Sequence, residues 1–146
     1  KPYCAAKGRE GQRRALEFMG KLLPALMRNT GIYEGFAAHM GGEHFVVLLA
    51  IEDYERFCNG LIESFDHRVK ELYTPQEASQ GHVLATDKKG REGKYSLMAL
   101  SIGVVHNQNR EFKSAKKMFE VLAQVRQMAQ PDSKSVMFVD RRRSDR

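Results

Sequence analysis

The stretch Gly41-Gly42-Glu43-His44-Phe45 joins two strand-like runs through adjacent glycines. A half-apolar run, residues 36–40, enters it, and a continuous apolar run, residues 45–49, leaves it. Two such runs joined by a short glycine-containing connection predict an antiparallel β-hairpin. Glu43 and His44 then lie at or beside the exposed tip, where the glycines leave the backbone open to a ligand. The stretch fits a site at the tip, and it also fits an ordinary turn with two polar residues.

Composition limits the class of protein. The 146 residues are 42% hydrophobic and 29% charged and contain no long linker, which is typical of one globular domain of ordinary size. The longest apolar run, residues 45–51, is far shorter than the ~20 residues that span a bilayer, so we expect no membrane contact. There is no signal-peptide pattern and the first residue is Lys1 rather than Met, so we expect a fragment of a larger protein.

The cysteine spacing indicates the cellular compartment of the protein, and the net charge indicates which partners it could bind. Cys4 and Cys58 have no CxxC or Cys/His ligand spacing, which fits a reducing cytoplasm and disfavours a disulfide framework or a zinc site. Part of the net charge of +6 comes from Arg141-Arg142-Arg143 and Arg146. A basic end of this kind can hold nucleic acid or an acidic surface, but it is more often only solvated. We therefore predict no nucleic-acid partner.

Three segments have the apolar periodicity of amphipathic helices. The first, residues 10–29, contains Pro24, which predicts a bend or a break into two shorter helices. The second begins after Glu52 or Asp53, whose side chain can accept a hydrogen bond from the first turn. The third begins near Ser114 and ends before Pro131. The predicted buried stripes are Leu16, Met19, Leu22, Leu23, Leu26 and Met27; Phe57, Leu61, Ile62, Phe65, Val69 and Leu72; and Met118, Leu122, Val125 and Ala129.

Further strands are predicted outside the first hairpin. Residues 74–94 lack helical periodicity and are rich in turn residues, so we expect a loop excursion there. Within it, residues 82–85 are expected to pair with the chain from Tyr95 onward. Residues 136–139 form a last short apolar strand.

The segment of residues 97–105 alternates between large and small side chains. Its second face consists of Ala99, Ser101 and Gly103. The alternation predicts a strand whose small face suits a close-packed layer or a nearby ligand.

The resulting element order is helix, strand, strand, helix, small hairpin, strand, helix, strand. It predicts an α+β fold with a mostly antiparallel sheet and helices packed on it. One further strand before the first helix would give the β-α-β-β-α-β core of the ferredoxin-like fold. We therefore expect an opening strand upstream of Lys1 and a single domain over residues 1–146.

Four stretches, in this order, resemble the GGDEF domain of bacterial diguanylate cyclases. They are Lys1-Pro2-Tyr3 with Gly8 and Gly11, then Gly41-Gly42-Glu43-His44-Phe45, Leu100-Ser101-Ile102-Gly103-Val104, and Val139-Asp140-Arg141-Arg142. The last is similar to a subgroup attached to response-regulator receiver domains. The resemblance covers nearly the whole chain and implies a ferredoxin-like palm in a cytoplasmic signalling protein. Active members of the family condense two GTP molecules to cyclic di-GMP.

The resemblance also implies a nucleotide site at the hairpin. Gly41 and Gly42 correspond to the nucleotide-binding turn, and Glu43 corresponds to a carboxylate that holds Mg²⁺ or Mn²⁺ on the GTP phosphates. The other metal carboxylate of the family would lie upstream of Lys1. His44 stands where the family has an acid needed for turnover, and an imidazole is a poor substitute toward a hard ion. If the domain is active, Glu43 and His44 are the catalytic candidates.

Other positions depart from the family pattern. Cys4 and Gln12 occupy the places of the guanine-contacting Asn and Asp, and neither side chain offers the same hydrogen bonds or charge. Of the two cations that contact phosphate, one place is taken by Gln130 and the other is retained as Lys134. The nucleotide-binding set implied by the resemblance is therefore reduced to the two glycines of the turn and Lys134.

The product-inhibition motif of the family, RxxD, is absent, because Ile32 and Gly35 occupy its Arg and Asp places. Each lost charge or hydrogen bond typically removes about 1–3 kcal/mol, so several together lower affinity by orders of magnitude. We therefore predict a degenerate GGDEF domain without cyclase activity. It would serve as a regulatory, dimerisation or guanine-nucleotide-sensing module.

Two alternatives stay open. One is an active diguanylate cyclase that tolerates His44 and works as a homodimer, since each domain brings one GTP to a shared site. The other is an RNA-binding ferredoxin-like sheet, although the strand after the glycines lacks the basic lead residue and further stacking aromatics. The expected partners are an upstream sensory or receiver domain, a second copy of the chain, and GTP or cyclic di-GMP. A metal ion is expected only with a nucleotide.

Overall fold

The computed structural model describes residues 2–86, 89–108, 110–129 and 134–143. Its elements are α1 (Pro2–Asn29), β1 (Phe36–Gly41), β2 (His44–Leu48), α2 (Tyr54–Arg68), a 3₁₀ helix (Val69–Leu72), α3 (Pro75–Gln80), β3 (His82–Thr86), β4 (Glu92–Ser96), β5 (Ser101–Val104), α4 (Ala115–Met128) and β6 (Val136–Val139). This mixture of helices and mainly antiparallel strand pairs confirms the α+β class. The chain divides into two compact units, Lys1–Met98 and Ala99–Arg146.

The described strands form three two-stranded sheets. β1 pairs with β2 and β3 pairs with β4, both antiparallel, whereas β5 and β6 are parallel. A continuous ferredoxin-like sheet therefore stays a prediction. None of the helices in the described ranges is long and apolar enough to cross a membrane.

Helix α1 provides much of the core of the N-terminal unit. Leu22, Leu23, Leu26 and Met27 are buried, and the Phe18 ring meets Phe65 of α2 edge-on at 5.8 Å between centroids. The helix starts at Pro2 and continues through Pro24, so the prediction of two shorter helices separated at that proline is wrong. Its non-helical backbone lies at Gly8, with φ 64° and ψ −162°, a combination that glycine alone adopts at low cost.

Helix α2 begins at the predicted place but without the predicted side-chain cap. Asp53 is the N-cap residue and has a helical backbone, with φ −97° and ψ −20°. A side-chain cap normally needs an extended backbone, and the Asp53 carboxylate instead accepts a hydrogen bond from Arg56 Nη2 at 2.7 Å. The predicted stripe is buried except for half-buried Ile62; the buried members are Phe57, Leu61, Phe65, Val69 and Leu72.

Helix α3 lies where the sequence predicts only turns and loop. The Glu77 amide donates to Thr74 Oγ1 at 3.3 Å, and the Thr74 amide donates to Glu77 Oε2 at 2.9 Å, which together form a capping box. Pro75 occupies the first helical position, and Gly81, with φ 74°, ends the helix. Lys7 of α1 forms an ion pair with Glu77 at 2.7 Å. Six residues are too few to show an apolar period, so only the caps reveal this helix.

The second predicted hairpin is present, but its second strand, β4, begins at Glu92 rather than at Tyr95. β3 and β4 pair with Val83 opposite Tyr95 and Thr86 opposite Glu92. Val83 and Ala85 are buried on the side of β3 that contacts α1.

The C-terminal unit is a β-α-β crossover. β5 and β6 run parallel with Ser101 opposite Val136 and Val104 opposite Val139, and α4 connects them and packs on both. β5 is shorter than the predicted strand over residues 97–105, because the Leu100 amide donates to Ser135 Oγ at 2.8 Å instead of continuing the ladder. β6 has the predicted bounds.

The small face of β5 packs directly on the last turns of α4. The Ser101 hydroxyl donates toward the carbonyl oxygens of Arg126 and Ala129. A Cβ at Gly103 would lie 2.7 Å from the backbone nitrogen of Arg126 and 2.9 Å from its Cα. Of the two interpretations of this face, the close-packed layer is confirmed.

A buried ion pair follows the end of β6. The Asp140 amide donates to Val104 O at 2.8 Å, and its carboxylate accepts hydrogen bonds from Arg110 Nη1 at 2.8 Å and Arg142 Nε at 2.7 Å. The side chains of Arg110 and Asp140 are only 4% and 5% exposed. Burial favours a higher pKa of Asp140, but the hydrogen bonds and charge of Arg142, with the charge of Arg110, outweigh it and hold that pKa below 3.8.

Replacing Gly103 by alanine tests the close packing. The added methyl group meets backbone atoms of α4 that cannot move independently, so Gly103→Ala should destabilise the C-terminal unit by about 1–3 kcal/mol in urea denaturation. The matched control is Gly20→Ala on α1, where a Cβ meets nothing within 4 Å, and helix propensity predicts a gain of up to about 1 kcal/mol. A neutral Gly103→Ala variant would contradict the packing.

Acid unfolding tests the Asp140 ion pair. Because its pKa is lowered in the folded state, the stabilisation is complete above pH 3.8 and is lost as the pH falls through the lower folded-state value. Asp140→Asn should cost about 3 kcal/mol at pH 7, since buried Arg110 loses this carboxylate, and the difference from the parent should shrink below pH 3.8.

Chemical denaturation between pH 7 and pH 2.5 measures both effects. Asp53→Asn is the matched control, because Asp53 pairs with Arg56, whose side chain is 59% exposed, and should cost no more than about 0.5 kcal/mol. Equal losses in the two variants would refute the assignment of a stabilising buried pair.

Candidate functional site

The predicted hairpin is present, and its register places both glycines at the tip. Phe36 lies opposite Leu48, His39 opposite Phe45, and Gly41 opposite His44, with an irregularity between His39 and Gly41. Positive φ angles, 96° at Gly41 and 54° at the following glycine, let the chain reverse within two residues. Other residues adopt such angles only with strain, so the two glycines are explained by the turn itself.

His39 belongs to this tip, although the sequence analysis did not assign it there. Its Nε2 lies 2.9 Å from Gly42 O, and its ring packs on Phe45 at 4.8 Å between centroids. The imidazole thereby holds the turn against the start of β2. The hairpin register was the signal that could have found it, because residues facing each other across a two-residue turn are neighbours.

Glu43 and His44 are exposed at the tip. Within the described ranges, neither side chain forms a hydrogen bond or an ion pair. A Cβ placed on Gly41 or Gly42 would meet nothing within 4 Å, so the turn faces open space. A carboxylate and an imidazole in this setting stay fully hydrated, and no neighbouring group orients them for catalysis.

The metal role implied for Glu43 has little support from its surroundings. Mg²⁺ in nucleotide sites is held by one or two carboxylates together with the phosphates, in strict octahedral geometry. Within the described parts of the chain, no cluster of three or more His, Cys, Asp or Glu side chains is placed to hold a metal ion. The tip supplies one carboxylate oxygen donor, Glu43, beside the imidazole of His44. On its own this set does not fit a magnesium or manganese site.

The remaining nucleotide positions lie elsewhere in the sequence. Lys134 is exposed just before β6 in the C-terminal unit, and Gln130 lies outside the described residues. Cys4 and Gln12 are exposed side chains of α1. These positions remain predictions from the resemblance.

The places of the product-inhibition motif take part in packing. Ile32 is 5% exposed and belongs to the core. A Cβ at Gly35 would collide with Met27 and would lie 2.9 Å from Leu49 Cδ2, so the glycine lets the chain pass close to α1. Both residues have a structural reason for their identity that is independent of any ligand.

A shallow cleft of about 250 Å³ lies beside α1 and the second hairpin. It is lined by Ala5, Ala6, Leu84, Ala85, Thr86 and Glu92. Binding sites for small molecules usually combine an apolar wall with several convergent polar groups. Among the described residues this lining has one charged group, Glu92, which is exposed, so they do not form a convergent polar site.

In comparisons with known proteins, the chain matches no family model, no curated protein and no solved structure.

Proposed function

We propose that this chain is a degenerate GGDEF domain that has no cyclase activity and acts as a regulatory module of a bacterial signalling protein. The proposal rests on the resemblance of the four ordered stretches. The absence of cyclase activity is proposed because Glu43 and His44 are exposed at the turn and form no hydrogen bond or ion pair within the described ranges. The resemblance implies that condensation of two GTP molecules needs an acid at the fourth motif position, and His44 stands there in this chain.

The hairpin geometry is compatible with the proposed family. A Gly-Gly turn between β1 and β2 leaves backbone amides accessible, as a phosphate-binding turn requires. The acid at the third motif position is retained as Glu43, whereas the fourth is His44. The domain would thus keep the shape of the turn and lose part of its charge.

The packing of Ile32 and Gly35 supports the proposal that the product-inhibition site is also lost. A charged side chain at either place would have to displace core atoms of α1 or of the segment after β2. Burying an unpaired charge in that way is costly. Product inhibition through these positions is therefore not part of the proposed function.

The finer fold that goes with this proposal is the ferredoxin-like palm. In that fold a further strand would precede α1. In a cytoplasmic signalling protein, an upstream receiver or other sensory domain would supply the input. The output would be a homodimer, a protein contact or weak binding of a guanine nucleotide.

Nucleotide titration of the full-length protein tests this proposal. GTP or cyclic di-GMP is added with Mg²⁺ or Mn²⁺, heat is followed by calorimetry, and products are separated by chromatography. We expect no cyclic di-GMP to form, because the tip lacks a second acid. Binding without turnover would make the module a nucleotide sensor, and the absence of heat with both ligands would leave protein contacts as its role.

The control for this titration is Glu43→Gln, which preserves the size of the side chain and removes its charge. Formation of cyclic di-GMP that disappears in this variant would overturn the non-catalytic assignment and make Glu43 and His44 catalytic.

A further inference from the structure

The hairpin β1–β2 turns one of its two faces toward α1. A Cβ at Gly35, immediately before β1, would collide with Met27 of α1 and would lie 2.9 Å from Cδ2 of Leu49, immediately after β2. Successive side chains of a strand point to opposite faces, so Ala37 and Val47, each two residues from this contact, share the inner face. The even-numbered residues of both strands therefore point to the opposite face.

That opposite face is apolar although it is exposed. We call it the outer hairpin face; it consists of Phe36, Ala38, Val46 and Leu48. Phe36 lies opposite Leu48 and Ala38 opposite Val46, and the side chains of the first pair are 60% and 63% exposed. Among the even-numbered residues of β1 and β2, only His44 at the tip is polar.

This pattern differs from that of a solvated sheet face. An antiparallel sheet that meets water on one side normally alternates along each strand, with the polar residues outward. A contiguous apolar patch on a protein surface is a common sign of a binding surface. We therefore take the outer hairpin face as a surface that another element covers.

The dimensions of the hairpin suit a single helix. β1 has six residues and β2 has five, so the pair is about 17–20 Å long. A helix of about 12–13 residues has the same length, and its diameter of about 10 Å matches the width of two neighbouring strands with their side chains. An apolar sheet face is stabilised by an element layered on it, whereas a strand added at the edge would leave the face exposed.

The segment that carries the hairpin is acidic. Residues 30–53 contain four Asp and Glu and no Lys or Arg. One of the four, Asp53, pairs with Arg56. The others are exposed and form no hydrogen bond or ion pair within the described ranges; they are Glu34 and Glu52 at the base of the hairpin and Glu43 at its tip. Three hydrated carboxylates therefore lie along the chain on either side of the apolar residues.

We propose that the outer hairpin face binds an amphipathic helix of a partner protein, whose apolar stripe is flanked by Lys and Arg. The stripe packs on the two cross-strand pairs, and the cations pair with the carboxylates around them. The same carboxylates repel the phosphate groups of nucleic acids and of anionic lipids. This inference rests on the hairpin alone and does not depend on the proposed function.

A second copy of the chain suits this face less well. In a two-fold interface the same surface of both copies meets, so the carboxylates beside one face approach those beside the other. Like charges brought together in this way weaken an association. A basic helix instead supplies the opposite charge.

A labelled peptide of fourteen residues is the probe for this surface. It contains leucine at positions 1, 4, 5, 8, 11 and 12 and lysine elsewhere, which gives one apolar stripe over about 21 Å of helix. Anisotropy titration with the full chain in about 100 mM NaCl should show saturable binding. A peptide of the same composition, with its leucines distributed around the helix, should bind at least about tenfold more weakly.

Two double variants test the two parts of the surface. Phe36→Thr with Leu48→Thr removes the exposed apolar pair, retains residues that favour strands, and should weaken peptide binding by at least about tenfold. Glu34→Gln with Glu52→Gln removes two charges at similar size and should weaken it by about threefold or more.

The matched control changes two similarly exposed apolar side chains elsewhere. Leu84→Thr with Met128→Gln should leave peptide affinity within about twofold, and circular dichroism checks that every variant is folded. The absence of saturable binding, or equal losses in the two apolar double variants, would overturn the proposal. Unchanged affinity after Glu34→Gln with Glu52→Gln would refute the choice of a basic partner. A dimer in sedimentation equilibrium that Phe36→Thr with Leu48→Thr abolishes would assign the face to a second copy instead.

Discussion

Helix α1 carries an apolar stripe that must be removed from water, and the N-terminal unit is arranged to cover it. α2 and β3 pack against it, and each large apolar side chain buried there is worth about 1.5–3 kcal/mol. The exit from α1 is fixed by the same packing, because Ile32 is buried and Gly35 passes close to Met27. β1 then extends for six residues, about 20 Å, to the glycine turn. The anchored base of the hairpin is well defined, and its tip is exposed.

This arrangement explains how a Gly-Gly turn can be present without the chemistry of a binding site. The glycines are needed for the turn whether or not a ligand binds, because their φ angles are positive. Catalysis requires further groups that converge on the turn, and Glu43 has no such neighbours within the described ranges. In the C-terminal unit, by contrast, the buried carboxylate of Asp140 accepts hydrogen bonds from Arg110 and Arg142.

Local sequence patterns predict much of the fold, and there are physical reasons why they fail for the remaining elements. Apolar runs joined by a glycine-containing connection predict the first hairpin, turn residues predict the existence of the second, and the predicted stripe of α2 is buried except for half-buried Ile62. The short helix α3 is not predicted, because its only sequence signal is the capping box formed by Thr74 and Glu77 and not an apolar periodicity. Pro24 is accommodated inside α1 because tertiary packing outweighs a local penalty, whereas Gly8 breaks the regular backbone. The exposed position of Glu43 at the tip is predicted, whereas the contact of His39 with the turn depends on the register of the hairpin and is not predicted.

Paramagnetic broadening of backbone amide signals by Mn²⁺ in the presence of GTP tests whether the Gly41-Gly42 turn lacks metal–nucleotide chemistry. We expect no broadening specific to residues 41–44, because His44 stands where the resemblance implies an acid beside Glu43, and an imidazole is a poor ligand for a hard ion. Selective loss of the Gly42, Glu43 and His44 signals at substoichiometric Mn²⁺, abolished by Glu43→Gln, would contradict it and identify the hairpin tip as a working nucleotide site.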